Sequence, residues 1–177
     1  MHKVYLSLGG NLGDKPSNFK KTLEFTQKEL GTPVKISSVY ETPPWGFRAR
    51  EKFWNQVIMI ETQKSPEELL NKIQAIEKQF NRKRTPGIYL SREMDIDILY
   101  YDELSMMSDK LVIPHPQIEH RKFVLVPLTE IAPDLKHPIS GLTSLKMLED
   151  CRDEGIIVKV HELDLPGSQD RPPSVLR

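Results

Sequence analysis

The chain has 177 residues, of which 38% are hydrophobic and 28% charged, with 25 Lys+Arg against 25 Asp+Glu. That composition excludes a fibrous or disordered chain, and the length suits one domain of about 100–150 residues with a short appendix. The cancelled charge argues against a nucleic-acid binder that works through a basic surface. A single cysteine, Cys151, cannot close an internal disulfide, and no Cys/His spacing resembles structural zinc. The apolar run at the N-terminus is too short for a signal peptide or a membrane span. The expectation is a cytoplasmic protein with one domain over residues 1–160 and a poorly ordered tail over 161–177.

In chain order, residues 4–9 form an apolar run in which Val4, Leu6 and Leu8 share one strand face, stopped by Gly9-Gly10. Residues 16–30 carry Phe19, Leu23 and Leu30 near helical spacing, with Gly31 as the stop. Residues 34–40 alternate as a strand and end at Thr42-Pro43-Pro44, and residues 53–62 form a second, stronger strand. Ser65-Pro66-Glu67-Glu68 opens a helix, with Ser65 as N-cap and Glu68 at N3, that runs to about Phe80. Residues 94–101 alternate around acidic positions as the next strand. Residues 121–131 have helical spacing, with Pro127 placed to kink or shorten the helix. Residues 142–148 suggest one more short helix, and 156–160 an edge strand.

The order β-α-β-β-α-β over residues 3–101 is the ferredoxin-like pattern, an α+β fold with an antiparallel sheet and helices packed against one face. Such a fold hosts many activities and selects none of them.

The sharpest chemical feature is Arg92-Glu93-Met94-Asp95-Ile96-Asp97-Ile98-Leu99. In a strand, Asp95 and Asp97 project to one face, about 7 Å apart at their stems, while Ile96 and Ile98 project to the other. A lone pair of this kind is more often the polar face of an amphipathic strand, and it also fits a ligand set for Mg²⁺, which takes oxygen donors shared with phosphates. Two neighbouring like charges repel, a cost that a metal removes. The cationic run Arg82-Lys83-Arg84, followed by Arg92, reads as a solvated loop or as a set of forks for phosphate oxygens. With the acidic pair beside it, phosphoryl chemistry accounts for both features better. No Walker loop or dinucleotide fingerprint is present, and Gly9-Gly10-Asn11-Leu12-Gly13 fits a tight turn as well as a ligand cradle.

Phe53 and Asn55 share a strand face, beyond the proline-stiffened turn Tyr40-Glu41-Thr42-Pro43-Pro44-Trp45-Gly46. An aromatic beside an amide suits a flat heterocycle, and it also suits a core ring with an ordinary polar neighbour. His115, held between Pro114 and Pro116, is a surface histidine or a phosphate partner, with Lys110 and Arg121 as its cationic rim. Gln74 and Glu77 lie on one helical face, as nucleotide contacts or as solvated residues.

These motifs, in this order, resemble the 6-hydroxymethyl-7,8-dihydropterin pyrophosphokinase family of folate biosynthesis over roughly residues 3–150. The resemblance rests on residues 8–13, 37–44, 53–56, 92–99, 113–116, 121–128 and 131–133. It implies transfer of a pyrophosphoryl group from ATP to the hydroxymethyl oxygen of the reduced pterin, with release of AMP. It also implies two Mg²⁺ ions held by Asp95 and Asp97, and a catalytic set of Arg82, Arg92, Asp95 and Asp97. The ATP site would take Gln74, Glu77, Arg84, Tyr89, Ile98, Lys110, His115 and Arg121. The pterin would lie between Phe53 and Phe123, bonded by Asn55, Asp95 and the backbone around Thr42, Pro43 and Trp45. Loops around 9–14, 43–52 and 82–92 would close over both substrates.

The stretch Ile88-Tyr89-Leu90-Ser91 departs from the family's basic-x-Gly-Pro pattern before the signature arginine, and Gly10 stands where serine is commoner. Competing readings are another Mg²⁺-dependent nucleotidyl or phosphoryl transferase on the same scaffold, and a non-catalytic RNA-binding module. An acidic pair on the candidate surface disfavours the last. The expected partners are therefore small molecules, ATP and a reduced pterin. No nucleic acid or membrane is expected. A monomer is expected, with association with the next folate-pathway enzyme left open.

Overall fold

The computed structural model describes residues 1–81 and 90–160. Strand β1 (His2–Gly10) leads to helix α1 (Lys15–Phe25), which starts on an Asp14 side-chain cap to the Ser17 amide and continues as a π-helical turn over Thr26–Leu30. Strands β2 (Thr32–Ile36), β3 (Tyr40–Thr42) and β4 (Phe53–Thr62) follow, then helix α2 (Pro66–Gln79). The reciprocal Ser65–Glu68 capping box that the sequence predicts is present at its start. After strand β5 (Asp95–Tyr101) come a hairpin of β6 (Met106–Met107) and β7 (Val112–Ile113), helices α3 (Lys122–Ile131) and α4 (Ser144–Asp150), and strand β8 (Val158–Lys159).

The main sheet runs β5-β1-β4-β3-β8, with β2 also pairing β4, and every pairing in it is antiparallel. With β2 and β3 counted as one interrupted strand, this is the ferredoxin-like order expected from the sequence. The interruption has a local cause. The Ser37 amide still donates to the Val57 carbonyl at 2.9 Å. The Val57 amide, however, goes to Ser37 Oγ at 3.0 Å and the Ser37 carbonyl accepts from Gln56 Nε2 at 2.9 Å, so side chains take over part of the ladder there. The register shift between Pro33 and Lys35, beside a proline with no N–H, loosens the pairing further.

Helices cover both sheet faces, where the sequence suggested one. Val4, Leu6, Leu8, Ile58, Ile60 and Ile96 pack under α1 and α2. Tyr5, Val57, Met59, Leu99 and Tyr100 pack under α3 and α4. Simple alternation fails because of a register shift between Tyr5 and Leu6: Tyr5 pairs with Tyr100 and Leu6 with Ile98. Leu99 is thus an extra residue, and it joins Tyr100 in the second core. Helix α3 continues through Pro127, whose missing N–H deprives the Phe123 carbonyl in the first turn of its usual helical donor. Its apolar face (Val124, Leu125, Leu128) covers only part of the second face. The end of the sheet carrying Gly9, Asn55 and Asp95 remains open.

Candidate functional site

The open end of the second face is a slot whose floor comes from three adjacent strands. Gly9 on β1 pairs with Asn55 on β4 and with Asp95 on β5, and the next row joins Val57, Ser7 and Asp97. Ser7, Gly9, Phe53, Asn55, Asp95 and Asp97 therefore lie on one face. Thr42, Pro43, Trp45 and Phe47 form one wall, and Arg92, Arg121 and Phe123 complete the lining.

One part of the slot suits a flat polar ring. Asn55 is buried, and its Nδ2 donates to Thr42 Oγ1 at 2.8 Å. Its Oδ1 faces Gly9, where a Cβ would lie 3.3 Å away. Only the missing side chain of Gly9 leaves that amide accessible from the floor. Phe47 stands edge-on to Phe53 with ring centroids 5.9 Å apart, and Trp45 meets Phe123 at 6.2 Å. Aromatic surface therefore flanks the amide on both sides.

The other part is ionic. Arg92 Nη2 lies 2.7 Å from Asp95 Oδ2, and Arg121 Nη1 lies 3.9 Å from Asp97 Oδ2. The same guanidiniums rest on the slot's rings, Arg92 5.4 Å from the Phe53 centroid and Arg121 5.0 Å from that of Trp45. Among the described residues, the Arg92 Nε–H is buried without an acceptor. A site that buries cationic N–H groups in this way is matched to anionic oxygens.

The carboxylate pair is a fitting but incomplete cation site. Among the described residues, no cluster of three or more His, Cys, Asp or Glu could hold a metal. Two carboxylates suit Mg²⁺, which keeps waters and shares substrate phosphates, rather than an ion caged by protein alone. His115 lies close enough to Asp97, Asp95 and Arg121 to feel their charges. Burial pushes its pKa below the ordinary histidine value, and Arg121 adds to that while the aspartates oppose it. Its Nδ1 accepts the Gln117 amide at 3.1 Å, which leaves Nε2 as the ring's N–H in the neutral form.

Of the residues singled out from sequence, the slot gathers Thr42, Pro43, Trp45, Phe53, Asn55, Arg92, Asp95, Asp97, Arg121 and Phe123. Gln74 is half-buried on α2, across the sheet. Glu77 is buried there too, and its Oε1 accepts the Ile96 amide at 3.0 Å, which ties α2 to the strand bearing both aspartates. The Ile98 side chain belongs to the core under α1 and α2, and Lys110 is exposed at the tip of the β6–β7 hairpin. Arg82, Arg84 and Tyr89 lie outside the described residues, as do Lys83 and the 161–177 tail.

Sequence reasoning did not name Ser7 or Phe47 as site residues, and it read Gly9 and Asn11 only as part of a turn or ligand cradle. Ser7 and Gly9 were legible as the strand face opposite Val4, Leu6 and Leu8. Asn11 is buried, accepts the Arg92 amide on Oδ1 at 2.9 Å, and donates from Nδ2 to Ser91 Oγ at 3.0 Å and the Glu51 carbonyl at 3.2 Å. The Asn11 amide also donates to the Arg92 carbonyl at 2.9 Å. One side chain thus fastens the Arg92 segment to the end of β1. The local sequence marks it as part of the glycine-rich turn but not as this fastening, because its partners are about 40 and 80 positions away.

Comparison with known proteins gives one answer. Residues 5–133 match the family model described as 7,8-dihydro-6-hydroxymethylpterin-pyrophosphokinase (HPPK). A 2-amino-4-hydroxy-6-hydroxymethyldihydropteridine pyrophosphokinase from Porphyromonas gingivalis is 42% identical over 138 residues, 76% of this chain and 93% of the relative. The Aquifex aeolicus protein of the same name is 42% identical over 139 residues, 78% of this chain and 86% of its own. The folic acid synthesis protein of Pneumocystis carinii is 36% identical over 86% of this chain, which spans only 20% of that longer relative. In structure, Plasmodium falciparum HPPK-DHPS has the same fold, with a TM-score of 0.70 at 15% identity over 84% of this chain and 44% of that one. The chain belongs to the 7,8-dihydro-6-hydroxymethylpterin-pyrophosphokinase family.

Proposed function

We propose that the chain transfers a pyrophosphoryl group from ATP to the hydroxymethyl oxygen of 6-hydroxymethyl-7,8-dihydropterin and releases AMP. The observation that carries this reading is the row Asn55–Gly9–Asp95 across three strands. It joins a heterocycle-sized amide pocket to a carboxylate and guanidinium site on one floor, so acceptor and polyphosphate can meet there.

The pterin ring would stack between Phe53 and Phe123, with Asn55, Asp95 and the backbone around Thr42, Pro43 and Trp45 matching its polar edge. Asp95 and Asp97 would hold Mg²⁺, two ions in our reading, which supplies charge neutralisation and a lower pKa for the acceptor hydroxyl. Arg92 and Arg121 would leave their aspartates for phosphate oxygens, and Arg82 and Arg84 would join them. Gln74, Glu77, Tyr89, Ile98, Lys110 and His115 are assigned to the ATP side. In the transfer, the hydroxymethyl oxygen bonds to the β-phosphorus, the bond from that phosphorus to the α–β bridging oxygen breaks, and AMP leaves with that oxygen. The acceptor's proton passes to solvent. Catalysis of this kind is mainly positioning and electrostatic stabilisation.

A cytoplasmic setting goes with this reading, since ATP is consumed and Cys151 needs no oxidising compartment. Among the described residues no helix is long and apolar enough to cross a membrane. Association with the enzyme that acts next in folate synthesis is part of the proposal, supported by the HPPK-DHPS chain whose fold this one shares. The test is a coupled assay with ATP, Mg²⁺ and the reduced pterin. AMP should appear in step with pterin diphosphate; ADP alone, or no turnover by folded protein, would refute the reading.

A further inference from the structure

We infer that residues 151–160, which lie beyond the family-matched segment, form a strap that positions the pterin wall of the slot. The segment leaves α4 in extended form, with Cys151, Asp153, Gly155 and Ile157 partly buried and the residues between them exposed. Cys151 packs against the core under α3 and α4, and Val160 against the core on the opposite sheet face. The strap therefore crosses the edge of the sheet beside β3, the strand that leads into the slot's wall.

Along that path it meets both walls. Asp153 Oδ2 accepts the Lys122 amide at 3.1 Å, at the start of α3, whose own N-cap, Arg121, makes no side-chain cap. A carboxylate there satisfies an orphan amide and complements the helix dipole, fixing the turn that carries Arg121 and Phe123. Asp153 Oδ1 also accepts the Gly155 amide at 2.9 Å, and Gly155 runs beside the ring of Pro43. Strand β8 then pairs Lys159 with Tyr40 and Val158 with Glu41, and the Val160 amide donates to the Val39 carbonyl at 2.9 Å. Strand β3, so held, runs directly into Thr42, Pro43 and Trp45.

Trp45 also borders a half-open depression of about 570 Å³ that Arg152 and Asp153 of the strap help to line, together with His120, Leu142 and Met147. The strap thus adds backbone pairing on one wall and a helix cap on the other.

The inference rests on the pterin reading, and its test separates the two. In the full chain, Asp153→Ala removes the α3 cap and Val160→Pro removes the bond to Val39. Affinity for 6-hydroxymethylpterin and for a non-hydrolysable ATP analogue with Mg²⁺ is measured by calorimetry, and amide hydrogen exchange is followed without ligand. Each variant should weaken pterin binding and raise its KM about tenfold, with nucleotide affinity within about twofold. Asp153→Asn, which keeps an oxygen acceptor, should restore most of the loss. Exchange should quicken at residues 41–45 and stay unchanged at 95–97. Unchanged exchange at 41–45, unchanged pterin affinity in both variants, or equal losses for both ligands with a falling Tm would overturn the strap. If the unaltered chain takes up no pterin while exchange responds as expected, the strap stands and the pterin reading fails.

Discussion

Arg92 and Asp95 form a 2.7 Å ion pair on the floor of the slot, three residues apart, with the carboxylate buried and the guanidinium against Phe53. A group assigned to phosphate is thus the counter-ion of a group assigned to metal. The pair satisfies a buried carboxylate, and under the proposed reaction Arg92 would compete with the metal for it.

Arg92→Ala should therefore act in opposite directions on two measurements. Turnover should fall about 100-fold, as for loss of a phosphate-stabilising donor. Binding of Mn²⁺ in the absence of nucleotide, read by electron paramagnetic resonance, should strengthen. Weaker metal binding would show that Arg92 holds Asp95 in place rather than competing for it.

Asp97 is only half-buried, and its Arg121 partner lies 3.9 Å away. Asp97→Ala should cut kcat at least about 100-fold while leaving the far-UV spectrum unchanged. Tm should stay within a few degrees, since one of two facing carboxylates is gone and their repulsion with it. Near-normal turnover would remove Asp97 from metal holding.

Gly9→Ala places a methyl on the floor, 3.3 Å from Asn55 Oδ1. The KM for pterin should rise about tenfold or more, with the KM for ATP unchanged and little change in stability. A uniform rise in both constants would mean that the methyl distorts the sheet instead of filling the slot.

Gly10→Ala tests a different contact, because a Cβ there would overlap the Glu93 carbonyl oxygen. Either β1 or the Arg92–Glu93 segment must move, and the Asn11–Arg92 bonds must lengthen. Both kcat and Tm should fall, the stability loss being about 1–3 kcal/mol by urea unfolding. Asn11→Ala should reproduce the kcat loss, since it frees the same segment without the clash.

Glu130, near the end of α3, accepts the Ser38 amide and hydroxyl and the Tyr40 hydroxyl, and Lys159 lies 3.8 Å away. Burial pushes its pKa up, but those hydrogen bonds and Lys159 together hold it below the usual carboxylate value. Burial and the Glu130 bond push Tyr40 up to about 12. Below pH 4.5 the unfolded chain binds the extra proton, so Glu130's contribution is lost as pH falls through its lowered folded value. Between pH 10 and about 12 the folded chain keeps the Tyr40 proton that the unfolded chain releases, so stability falls as pH rises. Glu130→Gln should cost about 1–2 kcal/mol at pH 7 and flatten both limbs in urea titrations. Limbs as steep as in the unaltered chain would assign them to other groups.

The sequence alone determined the β-α-β-β-α-β order of the main elements, though not the break between β2 and β3 or the β6–β7 hairpin. The Ser65 capping box, the shared face of Asp95 and Asp97, and that of Phe53 with Asn55 were legible too, since they follow from periodicity and local capping. It also carried enough ordered motifs for the family resemblance. What it could not determine depends on register and on distant partners. The bulge at Leu99 turns part of β5 toward a second core, and only the packed sheet shows that α3 and α4 cover that face. Asn11 reaches Arg92, and Asp153 reaches Lys122, through hydrogen bonds about 80 and 31 residues apart along the chain. The neutral charge count had the same limitation. A whole-chain sum says nothing of where the charges lie: Arg92 and Arg121 face Asp95 and Asp97 in one slot, and their pairing exists only once three strands and the start of α3 are brought together.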